Sequence, residues 1–165
     1  MIKTERLILK DISDADKDDL IGILKDDTVK KTYMVPDLNN AEEEERIFGA
    51  YRRLAQTQGR IAIGIFLSDK LIGFINDTGI ENGAIELGWA VHPSYHNRGY
   101  ATEAVSALTK KLFEDGFCEI VAGAFEENPA SIKVMTKCGM TKLDKEEDIE
   151  YRGKTHRCVY YSIKK

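Results

Sequence analysis

The stretch from Gly83 to Phe125 leaves a folding chain few choices. Its first part, "GAIELGWAV" (83–91), ends in a nearly unbroken apolar run, as a strand covered on both faces requires. Pro93 and Gly99 then punctuate "HPSYHNRGY" (92–100). From Ala101 onwards Val105, Leu108 and Leu112 recur at spacings of three and four, the stripe of a helix. "CEIVAGAF" (118–125) is a second buried strand. Strand, helix and strand in this order predict one parallel crossover. Residues 92–100 therefore form the turn where a buried strand hands over to a helix.

The remainder reads as an antiparallel frame around that unit. "RLILKDI" (6–12) is a first strand, and Ser13 or Asp14 caps a helix through about Lys25 with Leu20, Ile21 and Leu24 on one face. Residues 28–40 lack periodicity, carry Pro36, and read as loop. "AEEEERIFGAYRRLAQTQG" (41–59) opens acidic and continues basic, as the helix dipole favours, and Gly59 stops it. "RIAIGIFL" (60–67) and "KLIGFIND" (70–77), joined by a short link, form a hairpin. Asn128 and Pro129 open another helix that Gly139 ends. Two strands, about 141–150 and 155–163, finish the chain across "YRGK". The fold class is α+β, a three-layer arrangement with helices on both faces of a mixed, mostly antiparallel sheet of about seven strands. With 165 residues and no linker or repeat, residues 1–165 are expected to form one domain.

Composition narrows the function. A net charge of −4 argues against non-specific nucleic-acid binding, which needs a basic surface. Cys118, Cys138 and Cys158 are far apart, with no CxxC, so zinc-ribbon and thioredoxin chemistry are unsupported and a reducing cytoplasmic setting is expected. The start, "MIKTERLILK", has no signal-peptide core, and no stretch approaches the ~20 apolar residues of a membrane span. His92 and His96 are four apart but flank Pro93 in a turn, without HExxH, so no metal is expected.

The turn itself has two readings. Gly99 serves a plain strand-to-helix connection in the first. In the second, the unpaired amides of the helix's first turn form an anion site. Gly99 then lets the backbone approach a phosphate, Ala101 keeps the opposite wall low, Thr102 adds a hydroxyl and Arg98 a charge. The segment is neither a P-loop nor a dinucleotide fingerprint.

"ELGWAVHPSYHNRGYATEAVSALTKKLFEDGF" with "ENPASIKVMTKCGM" resembles the GCN5-related N-acetyltransferases (GNAT). "TERLILKDISDADKDDL" resembles their ribosomal-protein-alanine N-acetyltransferase branch. The resemblance implies the GNAT fold and acetyl-CoA as cosubstrate. It maps the acyl-CoA signature Q/R-x-x-G-x-G/A onto His96, Asn97, Arg98, Gly99, Tyr100 and Ala101, with His96 departing from the usual first residue. It further implies that amides of residues 98 to 102, Thr102 included, hold the pyrophosphate. Main-chain groups of Trp89, Ala90 and Val91 would pair with the pantetheine arm, and Asn128 and Ser131 would contact it. The acceptor it implies is an amine, on a small molecule or a protein N-terminus, with no nucleic acid or membrane partner, and it leaves a homodimer open.

Acetyl transfer from a thioester to an amine needs a proton acceptor, an oxyanion donor and a route for the leaving thiolate. An amide near Val91 is the expected oxyanion donor. Glu86, five residues before it, is a candidate base, or else a solvated residue on the strand's polar side. Glu150 is a second candidate, in the acidic run "DKEEDIE" that also fits a solvated edge. The tyrosine that many family members use to protonate the thiolate is Met135 here. Ser131 is the substitute that the branch suggests, or a hydroxyl serving its own helix turn. The missing tyrosine keeps a second function open, a non-catalytic acyl-CoA sensor or scaffold. Lys133 and Lys137 read as a solvated face that could approach a phosphate, Cys138 as a thiol with no base beside it. Tyr33, Met34 and Trp89 read as core residues that could border the acceptor.

Overall fold

The crossover predicted from residues 83–125 is the centre of an eight-stranded sheet. A computed structural model describes residues 1–165. The strands are β1 (Ile2–Lys3), β2 (Leu7–Lys10), β3 (Ala62–Leu67), β4 (Lys70–Glu81), β5 (Ala84–Val91), β6 (Glu119–Phe125), β7 (Thr141–Tyr151) and β8 (Lys154–Lys164). The helices are α1 (Lys17–Lys25), α2 (Asp27–Lys30), α3 (Ala41–Gln56), α4 (Tyr100–Glu114) and α5 (Pro129–Lys137). Strand order is β1-β2-β3-β4-β5-β6-β8-β7, and only β5 and β6 run parallel.

Three departures from the sequence expectation have a local cause. The eighth strand is β1, whose two residues pair with Ile8 and Leu9 but are too few to show a period. One helical turn, α2, interrupts the expected loop because the Asp26 carboxylate accepts from the amides of Thr28 and Val29, at 2.8 and 3.2 Å. Helix α3 ends at Gln56 rather than Gly59, because the Thr57 amide and hydroxyl fold back onto Leu54 and Arg53 carbonyls.

Side chains alternate between the two faces of each strand. Ile85, Leu87 and Val91 join Ile120, Ala122 and Ala124 in one core, closed by Val105, Leu108 and Leu112 of α4 and Met135 of α5. On the other face Phe66, Leu71, Phe74 and Ala90 pack under Leu20, Ile23 and Leu24 of α1 and Phe48 of α3. Glu86 and Gly88 share that second face with Ala90. The sheet also carries a buried carboxylate paired with a partly exposed arginine. Asp77, only 2% exposed, accepts from Arg60 Nε and the Ile61 amide, both at 2.6 Å.

Helix α5 shows how local chemistry sets an end. Asn128 caps it, with Oδ1 accepting from the Ser131 amide. At its far end the Gly139 and Met140 amides return to Thr136 and Met135 carbonyls, and Gly139 takes φ +82°.

Candidate active site

The split between β5 and β6 organises the site. The two strands pair only at Ala84–Glu86 against Glu119–Val121. Past those residues they diverge, and β6 continues on β8 to Phe125. The His92 amide donates to Ile72 on β4, at 2.8 Å. By alternation the main-chain groups of Leu87, Trp89 and Val91 point away from β4, into the split. Ala90 is therefore a correction. Its amide and carbonyl turn to Phe74 of β4, so it cannot pair with an arm lying in the split.

The turn after β5 closes one end of the split. Asn97 and Gly99 both adopt left-handed backbone, φ +59° and +81°, and Gly99 is the N-cap of α4. The first amide of the helix with a partner is that of Glu103, which donates to the Gly99 carbonyl at 3.0 Å. The amides of Arg98, Gly99, Tyr100, Ala101 and Thr102 have no acceptor in the protein. They converge at the positive end of a 15-residue helix. The departure at His96 is filled chemically. Its Nε2 lies 2.6 Å from the Val91 carbonyl and, when it carries the proton, donates to it. The imidazole thus ties the end of β5 to the turn.

The catalytic candidates separate. Glu86 is half-buried in mid-strand, opposite Gly79 on β4 and Val121 on β6, at the point where the split opens. Glu150 is exposed, and its carboxylate is taken by the Thr155 hydroxyl. Register puts Glu150 on the opposite face of the β7–β8 hairpin from Glu147, Ile149 and Tyr151. Those three share the face of Cys158, Tyr160, Val121 and Glu86. Glu147 accepts from the Tyr160 hydroxyl at 2.7 Å, and that bond holds its carboxyl below the usual carboxylate range.

Ser131 is half-buried, and its Oγ accepts from Asn128 Nδ2 at 3.0 Å. The cap uses a lone pair and leaves the hydroxyl proton free to donate. Met135 has no exposed surface and belongs to the core, so that position has no donor. Cys138 donates to the Thr102 carbonyl, Sγ to O 3.6 Å. Burial pushes its thiol up to about 11, which leaves it protonated near neutrality. Lys133 and Lys137 are exposed.

A family model described as an acetyltransferase (GNAT) domain matches residues 6–141. The chain belongs to the GNAT acetyltransferases. Among curated relatives, an uncharacterized N-acetyltransferase of Bacillus subtilis, YoaA, is 27% identical over 147 residues, covering 86% of this chain and 83% of YoaA. A crystal structure of a GNAT-family acetyltransferase from Bacillus anthracis superposes with a TM-score of 0.84 at 26% identity, over 99% of this chain and 97% of that one. The ribosomal-protein acetyltransferase RimL, solved with coenzyme A, shares the fold with a TM-score of 0.88 at 20% identity, over 98% and 95% of the two chains.

In this acetyltransferase the far side of the sheet from α4 carries a second set of contacts that the sequence did not disclose. Tyr33 lies over Gly88, and its hydroxyl donates to Asn76 Oδ1 at 2.7 Å. Tyr51 stands 3.1 Å away, hydroxyl to hydroxyl, and burial pushes both phenols up. Met34 is 54% exposed beside them, whereas Trp89 packs on the α4 side. The tip of the β7–β8 hairpin clamps this loop. The Tyr151 hydroxyl sits 2.8 Å from the Lys30 carbonyl and accepts from Arg152 Nε at 2.9 Å. Arg152 reaches Asp37 at 2.8 Å. Tyr151→Phe is expected to cost about 1 kcal/mol, a fall of about 2–4 °C in Tm. It should also raise KM for the acceptor while leaving KM for the acetyl donor unchanged, which steady-state kinetics would check.

Proposed function

We propose that the chain transfers an acetyl group from acetyl-CoA to a primary amine, with the Arg98–Thr102 amides gripping the diphosphate. The observation that carries this reading is the row of amides without a protein acceptor at the mouth of the β5–β6 split. Gly99 presents no side chain there, and Arg98 is exposed beside it. The amide and carbonyl of Trp89 and the amide of Val91, all turned to the split, suit a pantetheine arm laid along β5 as an added strand. Asn128 and Ser131 border the arm from α5. The thioester carbon then lies near the end of β5.

The amine attacks that carbon, forming the C–N bond and pushing charge onto the carbonyl oxygen. The Val91 amide, which faces the split, is the donor to that oxyanion. Glu86 takes the proton from the attacking nitrogen, directly or through one water. Collapse breaks the C–S bond, the free Ser131 hydroxyl donates a hydrogen bond to the departing thiolate, and the proton that Glu86 took passes to solvent, from which the thiolate takes its own. Glu150 is left out of this scheme because it faces the other side of its hairpin.

The acceptor enters from the face that carries Glu86, Tyr33 and Met34. That opening suits a protein N-terminus, a polyamine, an amino sugar or another small amine. The free cysteines fit a cytoplasmic setting, and no helix is long and apolar enough to cross a membrane. Thiol release from acetyl-CoA, followed across a panel of those amines, tests the reading. Release that depends on at least one amine is expected. Firm coenzyme A binding with no release from any amine would overturn transfer and favour a sensor.

A further inference from the structure

Arg6 lies in the link between β1 and β2, 92 residues from the turn in sequence, and its side chain reaches the turn. Its Nη1 donates to the Arg98 carbonyl at 2.9 Å. Its Nε donates to Glu103 Oε2 at 2.7 Å, and its guanidinium lies over the Tyr100 ring, 4.6 Å from the centroid. Glu103 also accepts from the Arg6 amide at 2.9 Å and the Thr4 hydroxyl at 2.6 Å. Burial opposes the charge on Glu103, but these bonds outweigh it and hold the carboxyl below the usual range. The guanidinium is thus fixed from three directions against the first turn of α4.

We propose that Arg6 is a positioning residue for the diphosphate, a role that rests on the cofactor reading above. The chain has no cis peptide, so the Arg98 carbonyl and the Gly99 amide point in opposite directions from one peptide plane. Holding that carbonyl towards Arg6 aims the Gly99 N–H away from it, to the side of the free amides. Glycine tolerates both signs of φ, so this peptide would otherwise be free to flip. A flip would turn the carbonyl oxygen towards the diphosphate and the N–H away. Arg6 therefore supplies the constraint that Gly99 gives up. A lysine would not replace it, because one ammonium lacks the fork that spans Glu103 and the Arg98 carbonyl.

The test compares acetyl-CoA with S-acetylpantetheine, which has the same thioester and arm but no diphosphate. Arg6→Gln and Arg6→Lys are expected to lower kcat/KM for acetyl-CoA about 30-fold, the equivalent of about 2 kcal/mol. The loss should lie in KM, with kcat at saturation kept. Turnover of S-acetylpantetheine should not change. Glu103→Ala, which unhooks the guanidinium from α4, should match them, and the double variant should be no worse than either single one. Equal losses with both donors, or none with either, would overturn the proposal while the wild type still prefers acetyl-CoA. A wild type with no preference for acetyl-CoA would instead overturn the diphosphate reading and the Arg6 role with it.

Discussion

Gly99→Glu is expected to weaken coenzyme A binding about 100-fold or more, at least about 2.7 kcal/mol, while the protein still folds. Three effects add. Any side chain at φ +81° costs about 1–2 kcal/mol of backbone strain. A Cβ there would stand 3.3 Å from Arg6 Nη2, so it crowds the guanidinium that steadies the turn. A carboxylate also competes with Glu103 for Arg6 and repels a diphosphate at the same amides. Gly99→Ala separates these terms, because it keeps the strain and drops the charge. It should lose only about tenfold, about 1.4 kcal/mol. Position 99 is exposed and outside both cores, so both variants should melt lower only by what that strain costs, about 2–8 °C and nearly equally, and the difference between them should appear in binding alone. Calorimetry with coenzyme A measures the result, and unchanged affinity in Gly99→Glu would remove this glycine from the site.

What the sequence disclosed follows from the range of the forces involved. Asn128, Pro129 and Gly139 bound α5 through contacts within a few residues, so its limits could be read directly. Gly99 was legible for the same reason, because a glycine between a buried strand and a helix is a local signal. Arg6 was not, since its partners Arg98, Tyr100 and Glu103 lie far along the chain and "TER" has no signature of its own. Three adjacent residues cannot all turn their main-chain groups to one side of a strand, so the alternation that removes Ala90 lay in the sequence once the pairing with β4 was known. Glu150 failed for another reason. The register between β7 and β8 shifts by two residues between Lys142 and Glu146, which keeps the facing parity, so Leu143, Ile149 and Tyr151 all pack inwards and Glu150, between the last two, faces out. The alternation is sparse within an acidic run, and only the pairing with β8 shows which face lies on the core. The Tyr151 clamp on residues 30–37 likewise joins segments that only the folded sheet brings together.

Glu86→Gln is expected to reduce kcat by about 100- to 10,000-fold, the span a positioned base contributes. KM for acetyl-CoA should stay near the wild-type value, because the proposed donors to the cofactor are main-chain amides and Glu86 is not among them. The size of the loss should track the acceptor. An α-amine has a pKa of about 8 and is partly neutral without help, whereas an alkyl amine near 10.4 is almost wholly protonated at pH 7. The variant should therefore lose more with the alkyl amine. Its rate should also recover as pH rises, up to about tenfold per unit until the amine's own pKa, because free amine then replaces the missing base. The wild type should show a shallower rise over the same range. Glutamine keeps the size of the side chain and half its hydrogen-bonding capacity, so a packing role alone would leave both the rate and its pH profile unmoved. An unaltered kcat with a good acceptor would show that the proton leaves by another route, and Glu147, on the same face of the sheet, would be the next carboxylate to replace.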